Sequence, residues 1–226
     1  MSHSKRYLEA EKLIERSKTY PLEEAIATLK NMPHSKFDET LEVSCTLGLD
    51  SGKSDQMVRG SVILPKGSGK KIKVLAFCEP EKEEQARGAG ADYIGSQEII
   101  DKISNQGWLD FDYCVSTPTM MKLVSRLGKI LGPRGLMPSP KTGTVTENIS
   151  YAVQDAKRGK INFRMDKFGC IHAGVGKISF TNEALIENVR AFMGALMAAR
   201  PQSAKGDFIK ACYLSTTMSP SLKVNI

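Results

Sequence analysis

The sequence has no long apolar run. No stretch approaches the ~18 consecutive apolar residues of a membrane-spanning helix, so we expect no membrane anchor. Residues 1–12 carry charges throughout and lack the apolar centre of a secretory signal peptide. We therefore expect a cytoplasmic protein.

Motifs for metal binding and for nucleophilic catalysis are also missing. The three histidines are scattered, and no HExxH, GxSxG, CxxC or EF-hand pattern occurs. The cysteines are odd in number and lie among apolar, β-prone residues, which is typical of reduced thiols in a core. We therefore predict no catalytic residue, no metal and no cofactor. The five cysteines are Cys45, Cys78, Cys114, Cys170 and Cys212.

Acidic residues are absent from one long segment. None occurs from Tyr113 to Thr146, although the chain has 25 acidic residues against 32 lysines and arginines, a net charge of +7. A basic surface without paired acids suits a phosphate backbone, so this segment is a candidate nucleic-acid contact. The alternative is a solvated helix face followed by a surface loop. The cations of the segment are Lys122, Arg126, Lys129, Arg134 and Lys141.

The same segment predicts a helix that begins near Pro118 and then a stiff loop. Apolar residues at helical spacing form one face of the helix, which Gly132 and Pro133 end. Arg134 follows in a loop that Pro138 stiffens further. The predicted apolar face consists of Leu123, Val124, Leu127, Ile130 and Leu131.

The two ends of the chain combine helices with antiparallel strands. The predicted helices cover residues 3–16, a segment starting at Pro21, and a segment from Thr181 or Asn182 to Met197. The predicted strands cover residues 41–49, 58–64, 161–165, 170–175 and 208–214. A short turn joins residues 161–165 to 170–175, which predicts a β-hairpin.

The middle of the chain follows a different pattern. Strands at 72–77, 92–94 and 113–116 alternate with helices, which is typical of a small parallel sheet with helices on both faces. The predicted helices lie at 81–87, 97–103, from Pro118 onward, and at 149–157. We therefore predict a mixed α+β and α/β fold with two domains. They are a discontinuous antiparallel α+β domain of residues 1–66 and 160–226, and an inserted, Rossmann-like α/β domain of residues 67–159.

A nucleotide-dependent enzyme is the alternative function for an α/β domain. The stretch 67–71 superficially resembles a phosphate loop, but GxxxxGK[ST] requires glycine in place of Leu64 and a hydroxyl in place of Lys71. The dinucleotide motif fails because Tyr93 stands where the third glycine is required. Both motifs are incomplete, which argues against nucleotide binding by this domain.

Residues from both ends of the chain are suited to folded RNA. Thr217 and Met218 follow the last predicted strand, Phe37 precedes the first, and Arg164 and Lys167 flank an acid at the hairpin tip. Hydroxyls hydrogen-bond ribose and base edges, and Phe or Met packs on unstacked bases. The alternative is that Phe37 and Met218 are core residues and the threonines simply favour strands.

One block of sequence resembles a known family. Residues 127–145, Leu-Gly-Lys-Ile-Leu-Gly-Pro-Arg-Gly-Leu-Met-Pro-Ser-Pro-Lys-Thr-Gly-Thr-Val, are similar to the signature of the L-one family of large-subunit ribosomal proteins, bacterial type. Shorter blocks occur in the order of the family along nearly the whole chain. They are Lys36–Thr40, Ser54–Gln56, Val58–Gly60, Gly90–Tyr93, Phe163–Arg164, Asp166–Lys167, Ile171–Ala173 and Thr216–Met218.

The resemblance implies a non-enzymatic structural protein of the ribosome. It implies binding to large-subunit rRNA at the mobile side stalk near the tRNA exit site, where the protein aids release of deacylated exit-site tRNA. It also implies repression of its own operon through the operon mRNA. The free protein is expected to be a monomer that does not bind membranes.

The resemblance further implies which residues contact RNA. The main contacts are Phe37, Thr40, Glu42, Arg164, Asp166, Lys167, His172, Thr217, Met218 and Ser219. Secondary contacts are Arg126, Lys129, Arg134 and Lys141. Without the resemblance, a strand histidine such as His172 is more often satisfied within the fold. The chain departs from the family at Ser219, where glycine is usual, at Phe168, where a small residue is usual, and at Gly174, where proline is common.

Overall fold

The structure is a computed structural model that describes residues 4–95, 97–204 and 206–225. Residue 3 of the first predicted helix and the chain ends of the predicted terminal domain lie outside the described residues. The helices are α1 (Lys5–Lys12), α2 (Leu22–Asn31), α3 (Glu83–Gly88), α4 (Gln97–Gln106), α5 (Met121–Val124), α6 (Gly128–Leu131), α7 (Ile149–Lys157) and α8 (Asn182–Ala198). The strands are β1 (Tyr20–Pro21), β2 (Thr40–Leu47), β3 (Arg59–Ile63), β4 (Val74–Phe77), β5 (Tyr93–Gly95), β6 (Tyr113–Ser116), β7 (Lys160–Arg164), β8 (Cys170–Lys177), β9 (Ile209–Thr216) and β10 (Leu222–Asn225).

Internal contacts divide the chain into two compact units. The terminal unit comprises the described residues up to Gly69 and from Ile161 onward. The middle unit comprises residues 70–160. Both units mix helices with strands, so the fold is α+β, as the sequence predicted.

A five-stranded sheet of order β1-β10-β9-β2-β8 organises the terminal unit. Pairing is antiparallel except between β1 and β10, which run parallel. Alternate residues of β2 are buried in a core that α2 and α8 cover, because successive side chains of a strand point to opposite faces. The inward residues of β2 are Leu41, Val43, Cys45 and Leu47.

The predicted hairpin of residues 161–165 and 170–175 is wrong. The tight turn forms, since Asp166 N donates to Cys170 O over 2.8 Å, but the strands then diverge into different sheets. β7 pairs with β3, and β8 pairs with β2. Phe163 explains the separation, because its ring packs edge-on against Phe192 of α8 and fills the space that Gly60 of β3 leaves open.

β10 was not predicted. Its four residues carry only two inward apolar side chains, Leu222 and Val224, which is too short a pattern to read as a strand. The strand forms because it pairs with β9 on one side and with β1 on the other. One partner, β9, lies just before it in the chain, whereas the other, β1, is distant in sequence.

The middle unit contains a parallel sheet of order β5-β4-β6, as the sequence predicted. Val74 and Ala76 of β4 face α3 and α7, whereas Leu75 and Phe77 face α4, α5 and α6. Helices therefore cover both faces of this sheet. The strand β6 and the helix α7 have the boundaries that their sequence patterns predicted.

The basic helix predicted from Pro118 is not continuous. It consists of α5, a single 3₁₀ turn at Ser125–Leu127, and α6. The break precedes Gly128, a residue that weakens an α-helix because it loses the most backbone freedom on folding. The predicted apolar face is nevertheless correct, because all five of its residues lie in or against one core.

The five cysteines are free thiols, and Cys170 is the one that is half-buried rather than buried. Within the described ranges, no helix is both long and apolar enough to cross a bilayer. The same ranges contain no group of histidine, cysteine, aspartate or glutamate residues that could hold a metal ion.

Candidate nucleic-acid interface

The face of the five-stranded sheet opposite α2 and α8, here called the outer face, is polar along β2. Thr40, Glu42, Ser44 and Thr46 occupy alternate positions there and are half-buried or exposed. Neighbouring strands continue this surface, since Ser215 lies opposite Glu42. This set includes two predicted contacts, Thr40 and Glu42.

At the beginning of β2, Thr40 meets the turn that follows β9. Thr40 N donates a hydrogen bond of 3.0 Å to Thr217 Oγ1. The hydroxyl of Thr40 accepts a hydrogen bond of 3.0 Å from Lys177 Nζ at the end of β8. Segments from both halves of the discontinuous unit therefore converge at this end of the sheet, here called the junction end.

The buried carboxylate of Glu39 ties the junction end together. Its oxygens accept hydrogen bonds from Ser35 N at 2.7 Å, from the Thr216 hydroxyl, and from Met218 N at 3.4 Å. Burial alone raises the pKa of this carboxyl, but the hydrogen bonds outweigh burial and lower the pKa below its ordinary value. Glu39 is therefore a charged acceptor that fixes the backbone beside Met218.

Ser219, at a position where the family that the chain resembles usually has glycine, completes this turn. Its hydroxyl oxygen accepts a hydrogen bond of 2.8 Å from Thr216 N, and the hydroxyl donates to Pro220 O over 3.0 Å. Ser219 does not need a left-handed backbone conformation, since positive φ angles occur only at glycines among the described residues. The added hydroxyl therefore supports the turn from within.

Phe37 and Met218 are both exposed at the junction end. Phe37 is 52% accessible and Met218 is 48% accessible. The interpretation that these two side chains are ordinary core residues is therefore wrong. They place apolar surface beside the polar outer face, which suits contacts with ribose or unstacked bases.

The other end of β2 adjoins the turn of residues 166–169, here called the tip. Asp166 Oδ1 accepts hydrogen bonds of 2.8 Å from both Phe168 N and Cys170 N. The bond from Cys170 is the main reason why the pKa of Asp166 is lowered. Lys167 is exposed at the tip.

His172 links the tip to the outer face. Its Nε2 lies 3.8 Å from Asp166 Oδ2, and its Nδ1 lies 3.0 Å from Ser44 Oγ. The ring is thus positioned by both neighbours, although the residue remains exposed. Ser44 is a surface residue that sequence reasoning missed, and its place in the alternation of β2 is the signal that indicates it.

Arg164 lies two residues before Asp166 of the tip, but on a different sheet. It ends β7 in the two-stranded sheet and is exposed, but it is not on the five-stranded sheet with the other predicted contacts. Two further residues were missed, Lys177 and Ser215. Register across strands brings both to the outer face, and register is not visible in one strand alone.

The four predicted secondary contacts lie in the middle unit. All four are exposed, and none forms an ion pair within the described part of the chain. Arg134 lies just after α6, where Gly135 N donates to Gly132 O over 3.1 Å and closes a turn. Unpaired cations on such a surface are suited to phosphate groups. These residues are Arg126, Lys129, Arg134 and Lys141.

Comparison with known families identifies this combination of sequence and surface. The model of the Ribosomal protein L1p/L10e family matches residues 29–220 of the 226-residue chain. The chain belongs to this family. The match spans the whole middle unit and part of the terminal unit, including the junction end, the tip and the basic segment.

Membership confirms the coarse functional prediction. The family consists of structural, non-enzymatic ribosomal proteins, so this protein has a structural role in the ribosome and binds rRNA. As a family member it is a cytoplasmic, ribosomal protein. The alternative prediction of a nucleotide-dependent enzyme receives no support from the family.

Proposed function

We propose that the protein binds large-subunit rRNA at the mobile side stalk through the outer face of its terminal unit. The observation that carries the proposal is the junction end, where exposed Phe37 and Met218 border a polar sheet. Exposed apolar side chains beside hydroxyls suit an RNA whose bases are partly unstacked. The predicted two-domain division is part of this proposal, with the terminal unit as the RNA-binding domain.

The two units contribute different terms to binding. The net charge of +7 and the unpaired cations of the middle unit attract RNA through a field that salt screens. The terminal unit then distinguishes RNA shape through fixed hydroxyl and apolar groups. Affinity for any polyanion therefore depends on the charge of the whole chain, to which the exposed cations of the middle unit contribute, whereas selectivity for folded RNA depends on the junction end.

We also propose the finer roles that the family resemblance implies. At the side stalk, the protein aids release of deacylated tRNA from the exit site. The same surface binds the operon mRNA and thereby represses translation of the operon. One binding surface can recognise both RNAs because the two RNAs have similar folds. The free protein acts as a monomer. Competition between the rRNA fragment and the operon mRNA leader tests whether they share one site.

The test compares two methionines of equal exposure. Met218 is 48% accessible at the junction end, and Met197 is 51% accessible on α8, away from the outer face. Met218→Asp should weaken filter binding of a structured rRNA hairpin by about 1–3 kcal/mol, the size of one good nucleic-acid contact. Met197→Asp adds the same charge and should weaken binding less.

Three outcomes would contradict the proposal. If Met218→Asp and Met197→Asp lost equal affinity for the hairpin, the effect would be explained by the added negative charge alone. An unchanged affinity in Met218→Asp would remove the junction end from the interface. If duplex DNA competed for the protein as strongly as the hairpin does, the protein would be a general binder of polyanions.

Arg134→Ala should weaken binding of a minimal hairpin less than Met218→Asp does, because we propose that the minimal fragment contacts only the terminal unit.

A further inference from the structure

We propose that Phe168 is an additional RNA contact of this chain, a platform on which one unpaired base stacks. The inference rests on the proposed function of the outer face. It adds a contact that the family resemblance does not imply, since a small residue is usual at this position.

The exposure of Phe168 is the first argument. At 77%, it is the most accessible of the large apolar side chains in the described part of the chain. The tip that carries it otherwise consists of Asp166, Lys167 and Gly169. A large ring at such a place makes little contribution to the core and leaves an apolar surface for a ligand.

The backbone beneath the ring is fixed. Asp166 Oδ1 accepts from Phe168 N at 2.8 Å, and Ser51 Oγ donates to Lys167 O. Gly169 closes the turn with φ of +80°, a conformation that favours glycine. Leu47 N then donates to Gly169 O over 2.8 Å and attaches the tip to the end of β2. A platform held at these points loses little conformational entropy when a base binds.

The charge beside the ring suits a nucleotide. Lys167 Nζ lies 5.3 Å from the centroid of the Phe168 ring, within the range of a cation–π contact. A base stacked on the ring would bring its phosphate close to this ammonium group. Stacking on an aromatic ring tolerates any base, so the expected ligand class is an unpaired nucleotide rather than a particular sequence.

The position of the platform fits an extended surface. Phe37 and Met218 lie at the beginning of β2, and Phe168 lies next to its end. Eight strand residues at ~3.3 Å each separate these apolar groups by roughly 25 Å. The polar outer face therefore has an exposed apolar group at each end, and a folded RNA with two unpaired regions would meet both.

The experiment uses two RNA probes and three variants of the full chain. The probes are a structured rRNA hairpin with two unpaired regions, an internal bulge and the loop, and a fully paired duplex of the same stem. Phe168→Ser should weaken hairpin binding on the order of tenfold, within the range of one base–aromatic stack, and should leave duplex binding unchanged. Phe168→Trp should retain hairpin affinity. Tyr151→Ser is the control, because Tyr151 is a 63% accessible aromatic residue of the middle unit.

A fluorescent adenine analogue at each unpaired position of the hairpin locates the stack. At least one position should be quenched on binding in a way that depends on Phe168, so Phe168→Ser should abolish the quenching there and leave any quenching beside Phe37 unchanged. The inference is overturned if Phe168→Ser binds the hairpin as the wild type does, or if it loses equal affinity for both RNAs. Met218→Asp distinguishes failure of the Phe168 platform from failure of the proposed function. If neither Met218→Asp nor Phe168→Ser weakens hairpin binding, the proposed function itself fails. If Met218→Asp weakens binding and Phe168→Ser does not, only the proposal of a platform at Phe168 fails.

Discussion

The hydroxyl of Thr216 donates a hydrogen bond to the carboxylate of Glu39, and both side chains are buried. Glu39 directly precedes β2, and Thr216 is the last residue of β9. The bond therefore connects two parts of the chain that meet only in the folded state. It lies directly beneath exposed Met218, whose backbone N also donates to Glu39.

Glu39→Gln should destabilise the protein. The amide places an NH₂ group where the carboxylate accepts from Ser35, Thr216 and Met218, so at least one buried donor loses its acceptor. The expected cost is about 1–3 kcal/mol in the free energy of unfolding at neutral pH, measured by urea denaturation. Glu183→Gln is the control, because Glu183 is exposed in the first turn of α8 and its change removes the same charge.

The pH dependence of stability tests the ionised state of Glu39. Its pKa is lower in the folded protein than the ordinary glutamate value of ~4.3. A carboxyl with a lowered pKa stabilises the fold above the unfolded pKa, and this contribution is lost as the pH falls through the folded pKa. The wild type should therefore lose stability on acidification more steeply than Glu39→Gln. Parallel curves for the two proteins would show that folding does not shift the pKa of Glu39.

Ser219→Gly should weaken the turn after β9. The change removes the acceptor of Thr216 N and adds a residue that loses more freedom on folding. The expected loss is about 1 kcal/mol of unfolding free energy, with faster hydrogen exchange at Thr216. Ser221→Gly is the matched control, because Ser221 is an exposed serine just before β10. An increase in rRNA affinity in Ser219→Gly would instead show that the hydroxyl crowds the RNA.

Thiol chemistry should distinguish Cys170 from the other cysteines. Burial raises the pKa of Cys78 to about 11 and also raises that of Cys114. The hydrogen-bonded contact between the sulfurs of Cys45 and Cys212, at 3.0 Å, raises the pKa of Cys45 and lowers that of Cys212. Burial keeps the reagent from both thiols of this pair. An alkylating reagent at about pH 8 should therefore modify half-buried Cys170 first. Peptide mass spectrometry before and after unfolding measures this order.

A Cys170→Ser variant is the control for that experiment. It should show almost no early labelling, while complete unfolding in urea should expose the remaining four thiols. Early modification of Cys45 or Cys212 in the native wild type would contradict the burial of that pair in the sheet core.

Elements with a sufficient local pattern were predictable from the sequence. The strand β6 and the helix α7 carry their own periodicity, and their predicted boundaries hold. The pairing of β7 with β3 was not predictable in this way, because it depends on packing between Phe163 and Phe192, which are distant in the chain. The residues around Asp166 correctly predicted a turn, but the prediction that β7 pairs with β8 across that turn was wrong.

For the candidate interface, the sequence likewise predicted some of the residues but not the contacts between them. Sequence resemblance named Thr40 and Thr217, but only the fold shows that the hydroxyl of Thr217 accepts from Thr40 N. It named Asp166 and His172, but the role of Ser44 beside His172 follows from strand register. Residue types can be anticipated from the chain, whereas their geometry depends on long-range pairing.

The parallel pairing of β1 with β10 bears on how the chain matures during its own synthesis. The nascent terminal unit must wait for residues 222–225 to leave the exit tunnel before its first strand finds a partner. Residues 70–160, by contrast, hold all three strands of their sheet within one uninterrupted stretch. We expect the inserted unit to acquire its structure first, while the flanking halves remain open to chaperones until residues 222–225 have been synthesised.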